Sequence, residues 1–124
     1  PVVKEKMDQY LDGVTSGMGA TYDFDYTYGY PSVYNEPSLI PTLRATVDKI
    51  LGENQLLDVN PSMGGEDFSY YAKEVPGIFF RLGTNSGEDT AYPNHHPKFN
   101  VDEDALPYGA AILSQFAYDY IEGN

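Results

Sequence analysis

The sequence predicts an α/β fold, and three observations predict it. The run GIFFRLG at 77–83 is apolar enough for a buried strand. The stretch YDFDYTYGY at 22–30 alternates with a period of two. Helical apolar spacing marks three further segments around them.

Taken in order, Val3, Met7, Tyr10, Leu11 and Val14 recur at helical spacing and predict a helix near 2–16, with Gly17 and Gly19 as stop signals. No cap stands before this pattern, so the reading expects further chain ahead of Pro1. A strand is predicted near 21–30, where Tyr22, Phe24, Tyr26, Tyr28 and Tyr30 share one face and small or acidic residues the other. That face reads as core packed on a helix; a sugar-stacking platform is the rival reading. Pro31 and Pro37 bracket a turn, which places a segment boundary near 31–37. Leu43, Val47, Ile50 and Leu51 then predict a helix near 38–51 that ends at Gly52. Leu56 and Leu57 form a short apolar stretch before the loop PSMGGEDF at 61–68, and Phe68, Tyr71 and Ala72 mark a helical turn or two. A second strand is predicted near 77–82. The last helix, near 104–121, has Asp102 or Asp104 as cap, Pro107 in its first turn, and a stripe of Leu106, Ala110, Leu113, Ala117, Tyr120 and Ile121.

Seven Lys and Arg against 19 Asp and Glu give a formal net charge of −12, which repels phosphate backbones and anionic membrane surfaces. Nucleic acid and membrane are therefore excluded as expected partners. No apolar run approaches the roughly 20 residues of a spanning helix, so a soluble, cytoplasmic protein is expected. The chain has no cysteine and so no disulfide or thiolate metal site, which leaves the redox compartment undecided.

Two loops hold the candidate chemistry. The stretch NHHPKF at 94–99 contains both histidines. Extended neighbours point in opposite directions, so only one of His95 and His96 readily faces a given metal ion. The loop follows a predicted buried strand, where α/β folds place ligands, and Pro97 stiffens it. In MGGEDF, two glycines permit close backbone approach to a ligand. Glu66 and Asp67 suit a helix start, and as neighbours they diverge too much for a carboxylate pair. Arg81 is suited to a substrate carboxylate, or more simply to one of the many acidic residues of the chain.

The ordered series YGYPSVYNEP, SMGGEDFSYYAKEVPGIFFRLGT and NHHPKFNVDEDALPYGA resembles the C-terminal part of the M20 family of metallopeptidases and amidohydrolases, notably its N-acyl-amino-acid and hippurate hydrolases. The resemblance spans nearly the whole chain. It implies a zinc-peptidase-like α/β catalytic domain interrupted by an α+β lid that also serves for dimerisation. Residues 1–33 then correspond to the last helix and strand of the lid, and residues 34–124 to the returning catalytic domain. The implied reaction is cleavage of the amide bond of an N-acyl amino acid or small peptide by water activated at two divalent metals, zinc or manganese, in a homodimeric enzyme. His95 matches the last metal ligand of the family, while His96 falls where relatives vary. Asn35 matches a substrate-touching lid asparagine, and Gly64 and Gly65 match the turn that lines the substrate pocket.

The departure from the family pattern is large. The other metal ligands, the catalytic glutamate and a lid histidine come, in the family, from segments that would lie upstream of residue 1. One imidazole does not hold a hydrolytic metal pair. The chain therefore reads as a C-terminal fragment, inactive alone and without a catalytic residue of its own. A non-catalytic, aromatic-rich binding or assembly module is the alternative.

Overall fold

The computed structural model describes residues 2–123, and these contain four α-helices: α1 (Val2–Met18), α2 (Ile40–Leu51), α3 (Phe68–Glu74) and α4 (Leu106–Glu122). All four lie where the sequence places helical segments. Gly17 stays within α1, and Gly19, at φ +63°, supplies the left-handed stop that a side chain resists. Gly52 closes α2 as predicted, at φ +91°. Helices α2 and α4 each begin with a single 3₁₀ turn, Pro37–Leu39 and Glu103–Ala105. An acidic side chain caps each turn. The Glu36 carboxylate accepts from the Ser38 N–H, and Asp102 accepts from the Asp104 N–H.

Helices α2 and α4 pack on each other and form the centre of the molecule. Leu43, Val47 and Ile112 are buried there, with Ile50, Leu51, Leu56, Ile78, Phe80 and Phe116 around them. A polar lock closes the same interface. Thr46, fully buried, donates to the Asp119 carboxylate at 2.8 Å, Lys49 pairs with it at 2.8 Å, and Gln115 donates at 2.9 Å. These donors, Lys49 foremost, hold the Asp119 carboxyl at about 2 instead of 3.8.

Helix α4 corrects the expected stripe. The inward positions are Gly109, Ile112 and Phe116, followed by Asp119, whereas Leu106, Leu113, Tyr120 and Ile121 are exposed. The docking face is thus rotated by one residue, about 100°, from the one the pattern suggests. The reason lies in Gly109. A Cβ there would stand 2.9 Å from Leu82 Cδ2, so a side chain at this position would have to push the Leu82 methyl aside. The leftover apolar face borders a groove lined by Leu39, Ile78, Phe80, Leu113, Phe116 and Tyr120.

Neither predicted strand forms a ladder among the described residues. A strand is completed by hydrogen bonds from a neighbour, and those segments find few. Around 77–82 the backbone is served by the Asn35 side chain and by the Glu36 N–H, which reaches Gly77 O at 2.9 Å. The segment nonetheless keeps strand-like alternation. Ile78, Phe80 and Leu82 turn to α2 and α4, while Phe79 and Arg81 turn to the opposite side, toward Phe68 and Ser62.

The aromatic segment follows α1 back along its length. Tyr22 donates to Asp12 at 3.0 Å, and Lys4 sits 5.6 Å over the Phe24 ring. Phe24, Tyr26 and Tyr28 form successive edge-to-face pairs at 6.0 and 4.9 Å. Only Phe24 and Tyr26 are half-buried; Tyr22, Tyr28 and Tyr30 are exposed, so the expected core face is partial. Helix α1 differs from expectation too. Its partly covered positions are Lys4, Asp8, Leu11 and Thr15, and Val3, Met7, Tyr10 and Val14 face outward.

Two predictions follow from the α2–α4 contact. Ile112→Ala, at a position 2% exposed, is expected to cost about 2–5 kcal/mol in denaturant unfolding. Because the Asp119 value is depressed when folded, its contribution is complete above 3.8 and is lost as pH falls toward about 2. Acid unfolding of Asp119→Asn should accordingly show a shallower pH dependence over that window than the parent protein. Equal slopes would assign the acid sensitivity elsewhere.

Candidate active-site loops

The 77–82 segment carries the candidate residues on its outward side and at its carboxyl end. Asn35 sits beside Phe79, where its amide nitrogen donates to Phe79 O at 2.9 Å and its oxygen accepts from Phe79 N at 2.8 Å. The side chain imitates a paired strand. Both of its polar atoms are engaged in this way, so a substrate contact through Asn35 has to use the second N–H or the second lone pair of the oxygen.

The glycine turn lies across the same segment. Arg81 donates to Ser62 Oγ at 3.1 Å, so its partner is the turn itself and not an acidic side chain. Gly64 has open space where a Cβ would stand, while a Cβ on Gly65 would stand 2.8 Å from Tyr30 Cδ2. Tyr30 in turn meets Tyr70 edge-on at 5.8 Å. The Tyr30 ring thus lies over Gly65, and a side chain there would have to displace it. Beyond it, the Glu66 carboxylate accepts from Phe68 N at 3.1 Å, and the buried Ser69 hydroxyl donates to Glu66 O at 2.6 Å. Glu66 serves the helix start as predicted; Asp67 makes no side-chain cap bond there. Phe68 then stacks on Tyr71 and meets Phe79 at 5.6 Å, which seats α3 on the segment.

The histidine loop leaves from the carboxyl end of the segment. Its return is fixed by Asp102, whose N–H donates to Thr84 O at 3.0 Å. A hydrogen bond from Ser86, and a second from the Asp104 N–H, hold the Asp102 carboxyl below the ordinary range. Within the loop the two histidines differ completely. His96 stacks on Tyr92 with ring centroids 4.6 Å apart and planes at 14°, and its Nδ1 accepts from Lys98 N at 3.1 Å. His95 is exposed, stands at φ +69°, and engages no other described residue through its ring. A left-handed residue bearing a Cβ costs about 1–2 kcal/mol, which the turns around it must offset.

The structure gives Asn35 and the glycine turn the same support, one through Phe79 and the other through Arg81. Among the described residues no hydrogen bond, ion pair or ring contact joins the His95 loop to either of them. Nor do any three His, Asp or Glu side chains among those residues stand together as a metal-holding group. An imidazole with free nitrogens is a sound donor for a divalent transition metal. The donors present thus fit one coordination position and not a whole site. Sequence reasoning gave Tyr30 a place on the aromatic face but no contact with the glycine turn, and it missed Ser62 and Tyr92. The spacing of Tyr92 and His96 around Pro93 was their one legible signal, and only the turn makes it a contact.

Comparison with known proteins defines the class first. The chain is similar to hydrolases of amide bonds: it is 36% identical over 120 residues to YhaA of Bacillus subtilis (strain 168), named an amidohydrolase. It is 33% identical over 115 residues to the N-acetyldiaminopimelate deacetylase of Brevibacillus brevis, and 36% identical over 92 residues to the IAA-amino acid hydrolase ILR1-like 2 of Arabidopsis thaliana. These alignments cover 96%, 93% and 74% of this chain, which spans 30%, 29% and 21% of the respective relatives. A crystal structure described as an aminohydrolase from methicillin resistant Staphylococcus aureus superposes with a TM-score of 0.75 at 30% identity, over 95% of this chain and 30% of that one. The model of peptidase family M20/M25/M40 matches residues 2–119, and the chain belongs to that family.

The Asn35 clamp gives a local prediction. Asn35→Ala leaves the Phe79 N–H and C=O without their partner and is expected to cost about 1–3 kcal/mol. Hydrogen exchange should show the Phe79 amide losing protection while amides of α2 keep theirs. Unchanged protection at Phe79 would show that the clamp is dispensable.

Proposed function

We propose that this chain is the C-terminal portion of a metal-dependent amidohydrolase that cleaves the amide bond of N-acyl amino acids or small peptides. The observation that carries the reading is His95: a free imidazole on an exposed loop at the carboxyl end of the 77–82 segment, in a chain of the M20 family. The similarity to a deacetylase and to an amino-acid conjugate hydrolase supports the substrate class.

His95 supplies one metal ligand, and the remaining donors come from elsewhere in the polypeptide. Zinc or manganese, when bound, supplies Lewis acidity and an activated water. The residues of this chain contribute position. Gly64 and Gly65 line the substrate pocket with backbone, free of any side chain of their own. Asn35 reaches the substrate with what its Phe79 clamp leaves free. Residues 34–124 belong to an α/β catalytic domain, in which the 77–82 segment becomes a full strand once neighbours pair with it. Residues 1–33 belong to a lid that also makes a homodimer, a role suited to the outward Val3, Met7, Tyr10 and Val14. The enzyme works in the cytoplasm on small molecules. A separate aromatic binding module is less favoured, because Phe24 and Tyr26 pack on each other and Tyr30 covers Gly65.

The 124 residues alone are expected to release no amino acid from an N-acetyl amino acid in the presence of zinc or manganese, whereas the full-length protein does so. In the full-length protein His95→Ala should lower turnover and metal affinity together. Chelator-sensitive turnover by the 124 residues would overturn the reading.

A further inference from the structure

The established comparisons and the proposed metal role leave unexplained why His95, which has a Cβ, stays in the left-handed region on an exposed loop. Its neighbours supply a cause. Tyr92 carries the His96 ring on its face at 4.6 Å and 14°, with Lys98 Nζ 5.6 Å from the same ring centroid. The His96 N–H donates to Pro93 O at 3.1 Å, His96 Nδ1 accepts from Lys98 N at 3.1 Å, and the Phe99 N–H donates to His96 O at 2.9 Å. Every anchor in this set belongs to His96 or to the ring beneath it. His95 is the residue they enclose.

We propose that Tyr92, His96 and Lys98 form a positioning clamp that holds the backbone of His95 at φ +69° and so aims its imidazole outward for ligation. This rests on the reading of His95 as a ligand. In the clamp His96 has two separable tasks: its ring stacks on Tyr92, and its Nδ1 closes the turn through the Lys98 N–H. Asparagine preserves the second task without the first, since its side-chain oxygen accepts from the backbone two residues on. Phenylalanine preserves the first without the second. His96 and Tyr92 are then positioning residues, acting through His95 and touching no metal themselves. Groups that orient a metal ligand in this way change affinity by about 10–100-fold when removed.

The test is made on the full-length protein, by zinc titration against a competing chelator, with the melting temperature of the metal-free protein measured in parallel. Tyr92→Phe should bind zinc as the parent does, because the ring face remains. Tyr92→Leu, which keeps apolar bulk but removes that face, should weaken zinc binding by about 10-fold or more, with an unchanged metal-free melting temperature. His96→Asn and His96→Phe should each fall between the parent and His96→Ala. His95→Ala should weaken binding more than any of these. If His95→Ala weakens zinc binding while Tyr92→Leu and His96→Ala leave it at the parent value, the clamp is overturned and the ligand reading stands. If His95→Ala leaves zinc binding intact, the ligand reading fails and the clamp falls with it. A loss in Tyr92→Leu matched by a lowered metal-free melting temperature would also overturn it, since the ring would then be serving general stability; so would an equal loss in Tyr92→Phe, which keeps the ring face.

Discussion

The arrangement depends on one constraint: a single extended segment, 77–82, has to satisfy two different surfaces with alternate side chains. Ile78, Phe80 and Leu82 close the hydrophobic contact with α2 and α4, and Gly109 is what permits Leu82 to sit so near the last helix. Phe79 and Arg81 meanwhile fasten the opposite side, where Phe68, Asn35 and Ser62 attach. A shift of one residue would exchange these sets, turning Arg81 into the core and Ile78 away from it. Register in this segment is therefore what places both candidate loops.

Charge is used sparingly in this strongly acidic chain. Seven basic side chains face 19 acidic ones, so basic partners are too few for most carboxylates. Asp119 collects several donors at once. It gathers Lys49, Gln115 and Thr46 at the edge of the core, where a carboxylate needs several donors to offset its loss of hydration. The ion pair of Arg44 with the exposed Asp58 belongs to a class that contributes little. The lock at Asp119 also fixes the rotation of α4, and thereby which apolar face is left along the groove.

The region around α1 follows a different logic. A helix with outward Val3, Met7, Tyr10 and Val14, backed by an aromatic ribbon only half-covered in its middle, buries too little to be the end of its own packing. The ribbon and the helix hold each other through Tyr22 and Asp12, and through Lys4 over Phe24. Tyr30 is the link onward, since its ring rests on Gly65 and against Tyr70. The aromatic segment thus touches the glycine turn directly, which ties the two halves of the chain together at a candidate site.

The sequence by itself determined the helices, their caps and the loops that matter. Those signals are local: Gly19 and Gly52 at left-handed stops, Asp102 as an acceptor for a free N–H group, and the helical spacing of Leu43 and Val47. The motifs around Gly65 and His95 likewise carried the family in their order along the chain. Only tertiary structure decided which face of α4 docks, because two adjacent apolar stripes have equal claim until Leu82 finds Gly109. Only tertiary structure decided that the extended segments lack a ladder among the described residues, since pairing belongs to a neighbour and not to the strand's own pattern. The difference between His95 and His96 has the same origin. Adjacent identical residues are told apart by a stack on Tyr92 and a turn through Lys98, contacts that exist only once the loop has closed on itself.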